Sequence, residues 1–300
     1  MVTHPTSLLQ NDWTADFARD GFVVIERLLD DATVRALRDR FDPLFAGQFE
    51  TGQYPDEWYW REGMSLPDVT RHMANAWKSD RTIARTVLSS EIGELAATLA
   101  GWEGTRLGQD TLWWKPRGGR EIALHQDATY VSFLDPPDTV TFWIALDATS
   151  ADAGTIEYAR GSHRWPLHKN PGDFHAPDRD YRAGLREAAA AAGAAEPEIV
   201  QIEVPAGSCV IHHGLVWHGS GPNRHPSRTR RSIGVHTLSA ATRFRPRGAG
   251  YIYGRYQRFG DTSMDETFFP ILWTREGYRS PSIAQHLAPA PAPWISPAKN

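Results

Sequence analysis

Glu121-Ile-Ala-Leu-His-Gln-Asp-Ala-Thr-Tyr130 sets an imidazole, His125, and a carboxylate, Asp127, two residues apart. Side chains alternate along an extended strand, so both groups emerge on one face. One more neutral nitrogen converging from elsewhere completes a two-histidine, one-carboxylate set, which leaves three positions of a metal open. A tripeptide of this kind arises about once by chance in a chain of this composition. The third ligand therefore has to be found elsewhere in the sequence.

Downstream, Gly207-Ser-Cys-Val-Ile-His-His-Gly-Leu-Val-Trp-His218-Gly-Ser-Gly-Pro-Asn-Arg224 reads as a turn, an apolar strand, and His218 entering a Gly/Ser/Asn loop. Next comes a strand-like run, Arg230-Arg-Ser-Ile-Gly-Val-His-Thr-Leu238. Arg230 shares a face there with Ser232, Gly234 and His236, while Ile233 and Val235 face a core. A guanidinium among small residues suits an anionic ligand, because its planar fork pairs a carboxylate through two hydrogen bonds. His212, His213, His225 and His236 are the nearby rivals of His218. His212 and His213 sit within the strand, where one face packs on helices, and His225 reads as solvated.

Taken together, these elements resemble the phytanoyl-CoA dioxygenase family of Fe(II)/2-oxoglutarate oxygenases. Phe17-Ala-Arg-Asp-Gly-Phe-Val-Val-Ile-Glu-Arg-Leu-Leu29 is similar to that family's opening segment, Trp114-Lys115-Pro116 to its strand before the HxD element, and Gly154-Thr-Ile-Glu-Tyr-Ala-Arg-Gly-Ser-His163 to its Gly-Ser-His stretch. The resemblance covers about residues 12–240. It implies that His125, Asp127 and His218 bind Fe(II) and form the catalytic centre, and that Arg230 pairs with the distal carboxylate of 2-oxoglutarate. Ser220, Lys115, Gln126 and Trp143 match further co-substrate positions.

The loop between His218 and Arg230 is one residue longer than the family's, which leaves Arg228 and Arg231 as alternatives to Arg230; strand alternation favours Arg230. Arg160 stands where the family has proline, and Leu124 where tryptophan is common. Both are expected near the pocket mouth, where they bear on the substrate. The implied reaction consumes O2 and 2-oxoglutarate, releases succinate and CO2, and hydroxylates an unactivated C–H bond of a small organic molecule, either an acyl derivative or a specialised-metabolite intermediate. Desaturation, ring formation, epoxidation and epimerisation use the same ligands. Asp127 excludes the halogenating variant of this chemistry, which needs a small residue in its place. Thr129, Tyr130 and Trp60 are the candidate substrate contacts.

Strands follow one another with turn signals and without regular strand–helix alternation, which argues against a doubly wound parallel sheet. The expected fold is mostly β with flanking helices around a double-stranded β-helix, the jelly-roll or cupin-like core. Such a core brings Asp127 and His218, 91 residues apart, together inside the barrel mouth. One domain over 1–300 is expected, with an inserted segment at about 164–198 and a proline-rich tail at 288–300. The insertion includes a helix-prone run over 180–192.

Along the chain, Asn11 or Asp12 is expected to cap a helix ending at Gly21, before a strand at Phe22-Val-Val-Ile25. Asp31 is expected to cap a helix whose stripe is Val34, Leu37, Phe41 and Leu44. Ser90 is expected to cap the helix over 91–100, with Gly101 as its stop. Residues 47–76 mix aromatics with charges and read equally as a substrate-covering loop or a surface loop pinned by its aromatics. The insertion after His163 is a second candidate cover.

Net charge is −4, and no basic footprint for nucleic acid or anionic membrane appears. The one cysteine, Cys209, excludes a disulfide framework and reads as a small buried hydrophobe. No signal-peptide pattern opens the chain and no apolar run reaches membrane-spanning length, so a cytoplasmic protein acting on a small molecule is expected. Twelve tryptophans are consistent with a ligand cavity. Two other function classes stand beside the oxygenase: a cupin-like isomerase or hydrolase that uses no 2-oxoglutarate, and a non-catalytic jelly-roll binding module. A carboxylate-binding arginine separates the first of these from the oxygenase, and a complete ligand set argues against the second.

Overall fold

The computed structural model describes residues 13–168, 174–178, 180–195, 197–246 and 250–288. The expected cap at Asn11 or Asp12 and the proline-rich tail beyond residue 288 lie outside the described residues.

The chain opens with α1 (Trp13–Asp20), whose Trp13 and Phe17 are buried one turn apart. Gly21, at φ 84°, ends it and admits β1 (Phe22–Ile25). The next helix, α2 (Asp31–Arg38), is capped by Asp30 rather than Asp31, because the carboxylate that reaches the Thr33 amide at 2.7 Å has to precede the first helical residue. The expected stripe falls on two helices, α2 and α3 (Phe41–Phe45). Pro43 accounts for the break: inside a continuous helix it would cost the bond to residue 39, whereas in the first turn of α3 its missing N–H costs nothing. Val34, Leu37, Phe41 and Leu44 all remain buried in one core cluster.

After β2 (Glu57–Trp58) and β3 (Arg71–Ala74) come α4 (Arg81–Val87) and α5 (Ser90–Ala100). Ser89, not Ser90, caps α5 through the Ile92 amide, for the same one-residue reason, and Gly101 closes it at φ 69° as expected. From there strands dominate: β4 (Gly104–Lys115), β5 (Ile122–His125), β6 (Leu134–Asp135), β7 (Thr139–Ala145) and β8 (Ile156–Ala159). The segment expected as an insertion contains α6 (Ala183–Ala191), and β9 (Ile199–Gln201) follows it. The chain continues through β10 (Cys209–His213), β11 (His218–Ser220), β12 (Arg230–Ser239), β13 (Arg243–Phe244), β14 (Ile271–Thr274) and α7 (Ile283–Leu287).

Two antiparallel sheets form the jelly-roll core. The larger runs β1-β10-β7-β12-β4-β3-β2, with β14 also paired to β4; the smaller runs β5-β11-β8-β9, and β6 pairs with β13. Period-two alternation divides the larger sheet. On one face Val140, Phe142, Ile144, Cys209, Ile211, Ile233 and Val235 join the side chains of α2 to α5 in the main core. Each such fully buried side chain contributes about 1.5–3 kcal/mol of apolar burial. The other face carries Thr139, Thr141, Trp143, His212, Arg230, Gly234 and His236 into a cavity shared with the smaller sheet. A second apolar cluster, including Phe133, Phe244, Tyr253 and Phe269, is built largely from the chain after β12 and adjoins that cavity.

Candidate metal centre and co-substrate pocket

β11 places His218 directly opposite His125 of β5. The expected loop at His218-Gly-Ser is thus a short central strand, paired on its other side with β8. Gly219 is required there, because a Cβ would stand 2.8 Å from the Ile122 carbonyl and 2.9 Å from the Leu124 Cα. Gln126 is extended (φ −112°, ψ 126°), so the strand alternation carries His125 and Asp127 to one side even though Asp127 already opens a 3-10 turn.

Both imidazoles are fixed through Nδ1, His125 to the Ala123 carbonyl at 2.8 Å and His218 to the Val216 carbonyl at 3.0 Å. A carbonyl only accepts, so each Nδ1 carries a proton, and in the neutral imidazole Nε2 is then the nitrogen with the lone pair. Both Nε2 atoms stand 3.5 Å from Asp127 Oδ1. The ligand atoms of the three residues lie within 4.8 Å of one another. Oδ2, the other oxygen, accepts from Thr141 Oγ1 at 2.7 Å and faces His212 Nε2 at 3.2 Å and His236 Nδ1 at 3.4 Å. Burial raises the Asp127 pKa, but the facing imidazoles of His218, His236, His125 and His212 outweigh it and hold the carboxyl well below its usual range. Burial, then the neighbouring His125 and His212, pushes His218 well below the ordinary histidine range, so it is a neutral nitrogen donor.

Arg230 lies in the same cavity, 3% exposed, with its guanidinium 5.5 Å from the Trp143 ring centre and Nη1 donating to Ser232 Oγ at 3.3 Å. Its Nε is buried without a hydrogen-bond partner, and among the described residues no carboxylate bonds it. Burial lowers its pKa to about 10, so it stays charged at neutral pH. Arg231 faces the other way and grips Asp147 with two bonds of 2.9 Å, and Arg228 is exposed. Neither lines the cavity.

Lys115, opposite Arg230 in register, is fully buried behind the wall and donates to Ser220 Oγ at 2.7 Å and to the Gly221 carbonyl. Burial and then the Arg230 charge push its pKa well below the lysine range. Ser220, Trp143 and Tyr130 line the cavity.

Three expected contacts stand elsewhere. Gln126 points to the opposite side of the strand from its neighbours, donating to the Leu215 carbonyl at 2.9 Å and accepting from the His168 amide at 2.8 Å. Thr129 meets the His168 carbonyl at 3.4 Å. Trp60 stacks under Arg71 at 3.7 Å and donates to the Leu66 carbonyl. Arg160 and Leu124 are likewise not at the mouth: Arg160 pairs with Asp20 and Glu198, and Leu124 packs with Leu185, Ala188 and Trp217 under α6. His213 packs near Phe17 and His163, and His225 accepts two backbone amides in its own turn.

His212, Thr141, Tyr158, His72 and His175 were not among the expected site residues. His212 had a usable signal, since Cys209 and Ile211 claim the helix-packed face of β10 and thereby turn His212 inward. Segment 47–76 supplies β2 at the edge of the larger sheet and β3 beside it, with Glu57 and His72 on the wall, and the insertion supplies Phe174 and His175. The cavity measures about 400 Å³.

The profile of the phytanoyl-CoA dioxygenase family matches residues 17–232. This chain belongs to the phytanoyl-CoA dioxygenase family. It is therefore a member of a family of Fe(II)/2-oxoglutarate-dependent dioxygenases, and Fe(II) and 2-oxoglutarate are the cofactors to which its triad corresponds. A probable alpha-ketoglutarate-dependent hypophosphite dioxygenase of Stutzerimonas stutzeri is 31% identical over 191 residues, 62% of this chain and 62% of that protein. The carbocyclase SnoK of nogalamycin biosynthesis superposes with a TM-score of 0.68 at 24% identity, over 90% of this chain and 99% of that one. The epimerase SnoN, solved with Fe3+, alpha ketoglutarate and nogalamycin RO, superposes with a TM-score of 0.66 at 21% identity, over 90% of this chain and 100% of that one. No helix among the described residues is long and apolar enough to cross a membrane.

Proposed function

We propose that this phytanoyl-CoA dioxygenase family member hydroxylates an unactivated C–H bond of a small organic molecule at an iron held by His125, Asp127 and His218. The observation that carries this reading is the meeting, in one cavity, of that donor set with the buried guanidinium of Arg230, to which no carboxylate of the described residues bonds. The donor set fits a ferrous ion, because two neutral nitrogens and one carboxylate leave the site net positive and open to an anionic chelator. When bound, iron and 2-oxoglutarate supply the oxidation: dioxygen, the keto acid and the substrate C–H bond give an alcohol, succinate and CO2.

The protein's own part is binding and orientation. Arg230 holds the distal carboxylate of 2-oxoglutarate in a charge-assisted pair formed away from water. Ser220, accepting from Lys115, turns its own hydroxyl proton toward the same carboxylate. Trp143 covers the guanidinium, which keeps water off the pair. Thr141 and His212 occupy Oδ2 of Asp127, so Oδ1 is the oxygen presented with the two imidazoles. Tyr130, against His125 at 5.7 Å on the cavity wall, would contact a substrate bound beside the metal.

Anaerobic addition of Fe(II) and 2-oxoglutarate tests the reading through the visible charge-transfer band of the chelate. A folded, iron-loaded sample without that band contradicts it, and Asp127→Ala is expected to abolish substrate oxidation. SnoN and SnoK are described as an epimerase and a carbocyclase, so product mass decides the outcome: a gained oxygen supports hydroxylation, unchanged mass epimerisation, and two lost hydrogens ring closure.

A further inference from the structure

The cavity has a second polar edge that the iron and co-substrate do not use. His72 of β3 lies opposite Trp113 of β4, which also faces Ser232 of β12, so His72 sits two strands from Arg230's strand and near the same level. Its Nε2 meets Glu57 Oε2 at 2.8 Å. His175 from the insertion stacks on it in parallel, with ring centres 4.8 Å apart and planes within 1°. Phe174 joins this pair to the iron site, 4.8 Å from His175 and 4.7 Å from His125. Both histidines line the cavity, and the Nδ1 of each is buried with no hydrogen-bond partner. A buried polar atom left unpaired carries its full desolvation penalty, and a ligand that bonds it recovers that penalty. Burial beside His72 lowers the His175 pKa to about 3, so its ring is neutral at physiological pH.

Charge narrows the ligand further. Arg230 is the one lysine or arginine among the described residues that line the cavity. Once it holds the co-substrate, and Asp127 and the co-substrate's own carboxylate have answered the charge of the iron, an anionic substrate finds no free cation, whereas Glu57 beside His72 remains to repel it. The cavity walls beside the pair, Trp113 and Phe174, are aromatic, and Tyr130 continues them toward the iron site.

We propose that His72 and His175 form the substrate-recognition edge for an uncharged hydroxyl carried on a planar apolar body: with Nε2 of His72 donating to Glu57, its Nδ1 is left to accept the hydroxyl proton, and His175 Nδ1 offers the second bond. This rests on the oxygenase reading for the position of the reacting carbon, and it assigns the substrate class.

The test is anaerobic equilibrium dialysis of the Fe(II)- and 2-oxoglutarate-loaded protein against 2-naphthol, naphthalene and 2-naphthoate. Wild type is expected to bind 2-naphthol at least about tenfold more tightly than either of the others, the worth of one hydrogen bond in a desolvated site. His72→Phe and His175→Phe, which keep a ring in the stack, are expected to remove that preference. Equal or undetectable binding of the three probes by wild type, a preference for 2-naphthoate, or a preference that survives both substitutions overturns the proposal. The wild-type comparison needs no variant to fold. The charge-transfer band, read before the probe is added, reports separately on the oxygenase reading: its absence defeats that reading, while the probe preference still decides the recognition edge.

Discussion

His212 approaches Oδ2 of Asp127 at 3.2 Å through Nε2, while its Nδ1 meets the Tyr158 hydroxyl at 2.9 Å. A carboxylate only accepts, so the neutral imidazole donates from Nε2 and accepts the Tyr158 proton at Nδ1. Burial keeps both groups in those states, lowering the His212 pKa and holding Tyr158 well above the usual phenol range. Together with Thr141, this chain fixes the carboxylate plane and leaves Oδ1 to the cavity.

Removing those supports is expected to loosen the metal. Thr141→Val and His212→Leu should each weaken Fe(II) affinity by about 10–100-fold, as losses of hydrogen bonds behind a metal ligand do. Tyr158→Phe, one step further back, should have the smaller effect. Competition against a chelator of known affinity measures this, and unchanged affinity in both of the first two variants would remove the supporting role.

The neighbouring arginines should separate cleanly. Arg230→Ala is expected to raise the Kd for 2-oxoglutarate by about a hundredfold, a loss of roughly 2–5 kcal/mol for one partner of a buried charge pair. Arg231→Ala should leave that Kd nearly unchanged and lower stability by about 1–3 kcal/mol through its mostly buried, doubly hydrogen-bonded pair with Asp147. Titration of the charge-transfer band against 2-oxoglutarate reads the first, and thermal unfolding reads the second. The reverse pattern would place the co-substrate elsewhere.

Gly219→Ala should damage the iron site without touching a ligand. The added Cβ forces β11 away from the Ile122 carbonyl and the Leu124 backbone, and with it the opposition of His218 and His125. A lowered Tm together with weaker Fe(II) binding is expected; a variant as stable and as tight as wild type contradicts the close approach.

Asp110 makes stability depend on pH. Buried completely, it accepts from the Trp77 amide through Oδ1 while Oδ2 has no partner, and burial raises its pKa to about 7. The native state then binds a proton that the unfolded chain releases near pH 4, so this contribution is full below about pH 4 and is lost as pH rises toward 7. It is on the order of 4 kcal/mol at most. Asp110→Asn should flatten this part of the profile, as chemical denaturation at several pH values will report. An unchanged profile would assign the pH dependence to other groups.

Much of the site was legible in the sequence because strand alternation is local. His125 and Asp127 share a face whatever surrounds them, and Ile233 and Val235 face the core for the same reason that Arg230 faces the cavity. The same rule should have sent Gln126 away from the co-substrate, and it does. The caps fall one residue before the expected ones, at Asp30 and Ser89, since a capping side chain and its helical neighbour look alike in sequence until the amide that it reaches is known. Arg160 was misplaced because its partner, Asp20, is distant in sequence and local pattern carries no trace of that pairing.

By itself, the sequence determined the chemistry on offer: two imidazoles, a carboxylate and a guanidinium on predictable faces of strands, with apolar residues on the opposite faces. Only the tertiary structure decided what meets what. The opposition of β5 and β11 brings the candidate metal triad together, Arg230 and not Arg231 faces the cavity because helices cover the other face of β12, and the stacking of His72 on His175 joins β3 to a segment about a hundred residues away. Such meetings depend on long-range strand pairing and on buried groups finding partners, quantities that belong to the folded chain and to no stretch of it alone.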